Sequence, residues 1–235
     1  MTLAQDTALV FDTDGTLLDA RDAVVDAVAE GLDGTYRHFG LTPPPPDKTR
    51  IAAAIGLPAA RFFRAAWPGG SVPAELSDRF AGEFEIRSTR AEVAALRRGA
   101  VSLFPGVEEV LTRLAERGHP LLLFSNACAP YFDAVVEVHG LTRWFARTLS
   151  LEEAARRRLA RDKTGMVRHL AGNHAAAVVI GDRIHDIEAG RSAGARTVGC
   201  LWGFGDETEL AGADWRIAEP ADLLDLPLAR DAATD

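Results

Sequence analysis

The sequence predicts an α/β fold: a doubly wound, Rossmann-like parallel sheet with an α-helical segment inserted after its first strand. Three observations lead there. Short apolar runs bounded by Gly, Pro or Asp recur along the chain, the pattern of strands covered on both faces. Helical patterns alternate with these runs through the second half. Residues 20–100 carry helical periodicity and no convincing strand.

The first strand candidate is "ALVF" (8–11). After it, "RDAVVDAVAEGLDGTYRHFG" reads as an amphipathic helix, and "TPPPPDKT" is a break with a stiff connector at 43–46. "PAARFFRAAW", "PAELSDRFAGEFEI" and "RAEVAALRRG" read as further helices. "VEEVLTRLAERG" (107–118) places Val107, Val110, Leu111 and Leu114 on one face and stops at Gly118. Strand candidates follow at "PLLLFS" (120–125), "AAAVVIG" (175–181) and "RTVGCLW" (196–202), with a weaker one at "RIAE" (216–219). "DIEAGRSAG" (186–194) is a helix pattern ending at Gly194. The polar tail after Pro227 is expected to fray. The expected division is a core of residues 1–19 and 101–235 with a helical cap at 20–100.

Composition narrows the classes. The chain has 235 residues, 47% hydrophobic and 26% charged, as in ordinary globular enzymes. A net charge of −8 argues against a general nucleic-acid surface. There is no apolar run of membrane-spanning length and no basic leader, so a cytoplasmic protein without a membrane partner is expected, a monomer or homodimer. Cys128 and Cys200 have no Cys or His at metal-ligand spacing and read as buried free thiols. The basic residues are lopsided: of 26, all but Lys48 and Lys163 are arginine.

Four places could carry chemistry. In "FDTDGT", Asp12 and Asp14 are two apart on an extended chain, so they share a face, about 7 Å from one another. They fall at the carboxyl end of a strand, where doubly wound sheets bind ligands. A lone "DxDG" can equally be an Asx-turn and a helix N-cap. In "VVIGDRIHDIEAG", Asp182 ends a second apolar run and Asp186 follows four residues later; taken alone, Asp186 suits an N-cap. Four carboxylates converging on one crevice would repel unless a cation sat among them, and hard oxygen ligands suit Mg²⁺ rather than zinc. In "LLLFSNACAP", Ser125 and Asn126 end a third run, where a hydroxyl and backbone N–H groups could hold an anion or simply cap the next helix. Lys163 in "RDKTGMVRHL" is a compact point charge in a chain that otherwise prefers arginine.

Taken in order, these places resemble the four motifs of the haloacid dehalogenase (HAD) superfamily, and of its phosphoglycolate phosphatase-like branch in particular. "FDTDGTLLD" is similar to the first motif, "FSN" to the second, Lys163 to the third and "GDRIHDIEAGRSAGA" to the fourth. "LFPGVEEVLTRLAERG" and "ADWRIAEPADLLDL" are also similar to that branch, so the likeness spans nearly the whole chain. The resemblance implies a phosphatase acting on a small phosphorylated metabolite. Asp12 would be the nucleophile and Asp14 the general acid/base. Asp12, the Asp14 carbonyl, Asp182 and Asp186 would hold Mg²⁺. Ser125, the Asn126 backbone and Lys163 would hold the phosphoryl oxygens. The helical insertion would be the cap that selects the leaving group, with "IGLPAARFF" (55–63) meeting substrate and Arg50, Arg61 and Arg64 as weaker anion contacts.

The chain departs from the family pattern at Ala127, where a lysine is common, at Thr164, where proline is frequent, and at His185, which no family role requires. Among rival readings, a dehalogenase would lack Asp14, and a phosphonatase would need a cap lysine such as Lys48 and no Asp14. A β-phosphoglucomutase-like sugar-phosphate mutase keeps both aspartates and is the main alternative. A non-catalytic binding module would not need Asp12, Asp14, Lys163 and Asp182 together. "GFGDET" (203–208) lacks the full glycine spacing of a dinucleotide loop.

Overall fold

The structure, a computed structural model, describes residues 7–67, 69 and 72–227; the tail after Pro227 lies outside them. In chain order the elements are β1 (Thr7–Phe11), β2 (Leu18–Asp19), α1 (Arg21–His38), α2 (Lys48–Ala54), α3 (Ala59–Ala66) and α4 (Ser77–Arg97). Next come β3 (Ser102–Leu103), α5 (Val107–Glu116), β4 (Leu121–Ser125), α6 (Ala129–Val138) and β5 (Phe145–Ser150). The chain closes with α7 (Leu151–Arg156), α8 (Lys163–Ala171), β6 (Ala176–Gly181), α9 (Ile184–Ala193), β7 (Arg196–Cys200) and β8 (Trp215–Ile217).

These elements form two compact units. One takes the chain up to Asp19, Ser102–Ser125 and everything from His139 onward. Its sheet has six parallel strands in the order β5-β4-β1-β6-β7-β8. β1 is buried along its whole length between β4 and β6, which is why it reads as an unbroken apolar run rather than an alternating one. Its two neighbours come from opposite directions of winding, so the crevice of the sheet opens at the carboxyl end of β1. Met166, Val167 and Leu170 of α8 and Ala189 of α9 pack with Val10, Leu122, Phe124 and Val179. α5 buries Val107, Val110, Leu111 and Leu114, the face its periodicity predicts. A two-stranded antiparallel pair, Leu18–Asp19 with Ser102–Leu103, joins the points where the chain leaves and re-enters this unit.

The other unit, Ala20–Val101 with Asn126–Val138, is helical and takes in α6, beyond the residue range read for the insertion. Tyr36, Phe63, Trp67, Phe80 and Phe84 form its centre. The Tyr36 and Phe80 rings lie 4.7 Å apart and those of Trp67 and Phe80 4.5 Å apart. The Trp67 indole N–H donates to the Tyr36 hydroxyl at 3.1 Å, satisfying both polar tips inside an apolar cluster. α1 and α4 touch at Gly31, where a Cβ would stand 2.6 Å from the backbone of Ser88.

Three differences from the sequence reading have physical causes. β5 went unread because it is an edge strand whose middle residues, Ala146 and Arg147, are exposed and break the apolar run. "PAELSDRFAGEFEI" and "RAEVAALRRG" belong to one continuous helix, α4, because nothing between them interrupts helical geometry. α9 begins two residues before Asp186, so that residue is the third helical position and not the N-cap, which is Arg183. Among the described residues no helix is long and apolar enough to cross a membrane.

The close approach of α1 to α4 sets two glycines against each other as tests. Gly31→Ala is expected to destabilise by about 1–3 kcal/mol, because the new methyl meets backbone that cannot yield. Gly82→Ala, on an exposed turn of α4 with open space around it, is expected to stabilise by about 0.5–1 kcal/mol through helix propensity. Urea unfolding of both variants checks the opposite signs.

Candidate active site

The site grows from the end of β1. The Asp12 N–H still donates to the Ile180 carbonyl at 2.9 Å, so Asp12 leaves the sheet with its backbone fixed. Thr13 then pins the turn by donating its hydroxyl to the Phe124 carbonyl at 2.9 Å. Gly15 follows with φ +87°, and a Cβ there would lie 2.2 Å from an Asp182 carboxylate oxygen. Only glycine fits on both counts, conformation and space. Thr16 donates its hydroxyl to Asp182 Oδ1 at 3.1 Å.

The second strand end arrives from β6. Asp182 is fully buried; besides Thr16, the Phe204 N–H donates to its Oδ2 at 2.7 Å. Gly181 is packed against Asp186, with only 2.2 Å between a Cβ and the Asp186 carboxyl carbon. Asp186 Oδ2 accepts from the Arg183 N–H at 3.0 Å, which ties the carboxylate to the first turn of its own helix.

Lys163, the first residue of α8, closes the group. Its N-cap Asp162 accepts from the Gly165 N–H at 2.7 Å and so fixes where the helix starts. The Lys163 Nζ lies 2.7 Å from Asp12 Oδ1 and 2.6 Å from Asp186 Oδ1, with the Phe124 ring face 4.8 Å away. The side chain is 8% exposed. Asp12, Asp182 and Asp186 each bring a carboxylate oxygen to within 4.8 Å of the others.

Such crowding is costly. Two unit charges at that distance repel by roughly 3 kcal/mol at the effective dielectric of a protein site. Burial and the neighbouring Asp186 charge push the Asp12 pKa well above the ordinary carboxylate range, against the pull of Lys163. Burial and Asp186 likewise raise Asp182 to about 7, opposed by the Phe204 N–H and the Thr16 hydroxyl. Burial works against the Lys163 ammonium, but Asp12 and Asp186 overcome it and hold its pKa above the usual lysine value. One ammonium facing three carboxylates leaves net negative charge. Asp186 Oδ1 is buried, and its close neighbour is the Lys163 ammonium at 2.6 Å. An all-oxygen, buried and under-neutralised donor set is what a hard divalent cation such as Mg²⁺ requires.

Asp12, Lys163, Asp182 and Asp186 thus come together from two strand ends and two helix starts. Asp14 stands half-buried on the turn after β1, its backbone bridging to Leu18. Ser125 is the buried last residue of β4, the strand beside β1. Asn126 belongs to the helical unit, where its side-chain amide donates to the Gly56 carbonyl at 2.9 Å and its own carbonyl accepts from the Ala59 N–H. Arg50, Arg61 and Arg64 are exposed, and Lys48 forms an exposed ion pair with Asp26. Cys128 and Cys200 are buried and in no disulfide.

Sequence reasoning weighs the loop after β7 only as a dinucleotide loop and does not join it to the site. Trp202 donates its indole N–H to the Thr16 carbonyl at 3.1 Å, and Phe204 reaches Asp182. At Gly203 a Cβ would lie 2.2 Å from the Asp182 Cβ, and at Gly205 2.2 Å from the Asp182 carbonyl oxygen. "GFG" therefore marks a backbone packed directly against a carboxylate. The glycines were legible; their partner was not.

Comparison with known proteins identifies the family. The family model of haloacid dehalogenase-like hydrolases matches residues 7–194. The phosphoglycolate phosphatase of Caulobacter vibrioides is 30% identical, over 94% of this chain and 89% of that protein. That of Synechococcus elongatus is 28% identical over 92% and 95%. A 5'-nucleotidase of Pseudomonas aeruginosa is 27% identical over 86% of each. Among solved structures, a predicted phosphoglycolate phosphatase from Haemophilus somnus shares the fold with a TM-score of 0.73 at 20% identity, covering 96% of this chain and 98% of that one. With the match running from β1 through α9, the chain belongs to the haloacid dehalogenase-like hydrolase family.

Proposed function

We propose that this hydrolase is a Mg²⁺-dependent phosphatase that cleaves a small phosphate monoester through an aspartyl-phosphate on Asp12. The observation that carries the reading is the Lys163 ammonium bridging Asp12 and Asp186 at 2.7 and 2.6 Å, with Asp182 in reach. The relatives named phosphoglycolate phosphatase support a small anionic substrate of that kind.

Phosphoryl transfer needs positioning and charge neutralisation more than elaborate covalent chemistry. In the proposed sequence an Asp12 oxygen attacks phosphorus while the bond to the leaving oxygen breaks, and Asp14 delivers a proton to that oxygen. Asp14, now a carboxylate, then takes a proton from water as the water oxygen attacks phosphorus. The bond to Asp12 breaks, and phosphate departs with both groups restored. Lys163, Ser125 and the Asn126 backbone hold the equatorial oxygens. Mg²⁺ held by Asp12, the Asp14 carbonyl, Asp182 and Asp186 would neutralise the dianion that an anionic nucleophile must approach. The helical unit serves as the cap and selects the leaving group.

A panel of phosphate monoesters tests the chemistry. Wild type is expected to release phosphate only with Mg²⁺, and Asp12→Asn to lose at least about 10³-fold of the activity. Asp14→Asn is expected to cost about 10²–10⁴-fold. Turnover that survives EDTA or the Asp12 change would contradict the mechanism. Isomerisation of β-glucose 1-phosphate without net phosphate release would make the enzyme a mutase instead.

A second prediction concerns the metal-free protein. A carboxyl whose folded pKa is raised from 3.8 to about 7 favours folding below the first value and loses that contribution as pH rises through the second. At pH 8 the ionised Asp182 therefore burdens the metal-free fold. Asn at this position can accept from the Phe204 N–H and donate to the Thr16 hydroxyl. Asp182→Asn is accordingly expected to melt several degrees above wild type at pH 8 in EDTA, with the gap narrowing toward pH 4. The same variant is expected to lose the rise in melting temperature that Mg²⁺ gives wild type. A metal-free variant less stable than wild type at pH 8 would contradict the charge-crowding argument.

A further inference from the structure

The site contains a basic residue for which the proposed chemistry has no use. Arg183 directly follows Asp182 and precedes Asp186 by three residues, at the N-cap of α9. A guanidinium there is a natural fork for carboxylates and so a rival to any cation between them. Its Nε donates to Glu209 Oε1 at 2.8 Å, in a pair only 17% and 22% exposed. The same Glu209 oxygen accepts from the Ile184 N–H at 2.9 Å, the first residue of the helix that carries Asp186. Glu209 is itself fixed, because its N–H donates to Asp206 Oδ1 at 2.8 Å. Its loop is anchored on the site through Trp202 to the Thr16 carbonyl and Phe204 to Asp182. Gly205 sits against the Asp182 carbonyl and also within 3.3 Å of the Glu209 carboxylate, measured from the position of a Cβ.

We infer that Glu209 is a positioning residue for the cation site: it balances the charge of Arg183 and fixes its guanidinium, leaving the divalent cation as the counter-charge of Asp182 and Asp186. The inference rests on the Mg²⁺ reading above and adds a residue outside all four motif segments. Glu209 acts through Arg183 and through the start of α9.

Calorimetric titration of Mg²⁺ into the metal-free protein tests this without reference to turnover. Glu209→Gln keeps an acceptor for Ile184 and removes the charge, and is expected to weaken Mg²⁺ binding about 10-fold. Arg183→Met is expected to bind Mg²⁺ at least as tightly as wild type. In that background Glu209→Gln is expected to be silent, the double variant binding within about twofold of wild type. Unchanged affinity in Glu209→Gln, or a double variant as weak as the single one, would overturn the role assigned to Glu209. Should Glu209→Gln alone fail to fold, the comparison within the Arg183→Met background still decides. A wild type that binds no Mg²⁺ would overturn the metal reading itself, which separates the two failures.

Discussion

The arrangement depends on one buried ammonium. Lys163 lies between Asp12 and Asp186 at ion-pair distance from both, with each of the three side chains nearly removed from solvent. Burying a charge is costly unless it is paired, and burying three carboxylates together is costlier still. Lys163 offsets only one of the three carboxylate charges. That shortfall gives the site its character: a standing demand for positive charge in a buried crevice at the end of β1.

Holding such a cluster together falls to the parallel sheet and to glycine. β1 is central, so its end cannot move without breaking hydrogen bonds to β4 and β6. Asp12 and Asp182 leave adjacent strands one residue apart in register, and the Asp12 N–H is still paired with β6. The loops then close around Asp182 at distances no side chain would allow, at Gly15 and Gly203 above all. Both Asp182 oxygens are occupied by donors that fix the carboxylate in one orientation. Preorganisation of this kind means that little has to rearrange when charge develops on a phosphoryl group.

How much of this could be read from the residues alone follows from where the physics sits. Asp12 and Asp182 were legible because an unbroken apolar run that ends in a carboxylate is a buried strand with a charge at its tip. Lys163 was legible because, Lys48 apart, the chain spends arginine everywhere else. The resemblance to the family then joined these places into one site. β5 was not legible, since an edge strand with exposed middle residues has no period distinct from a loop. The placing of Asp186 inside α9 turns on where a helix starts, which sequence fixes only to within a residue or two. Phe204 was out of reach for a deeper reason: its contribution is a backbone N–H, which every residue but proline possesses. The Glu209–Arg183 pair joins residues 26 apart through a loop, and no local pattern announces it.

Trapping the covalent intermediate bears most directly on the claim that Asp12 is the group this charge balance exists to serve. Wild type, mixed with a turned-over phosphate monoester and Mg²⁺ and quenched in acid within its turnover time, can be digested and read by mass spectrometry. One phosphoryl group on the peptide carrying Asp12, removed by hydroxylamine, is the expected result. A phosphoryl group on another residue, or none when the quench precedes product release, would contradict it.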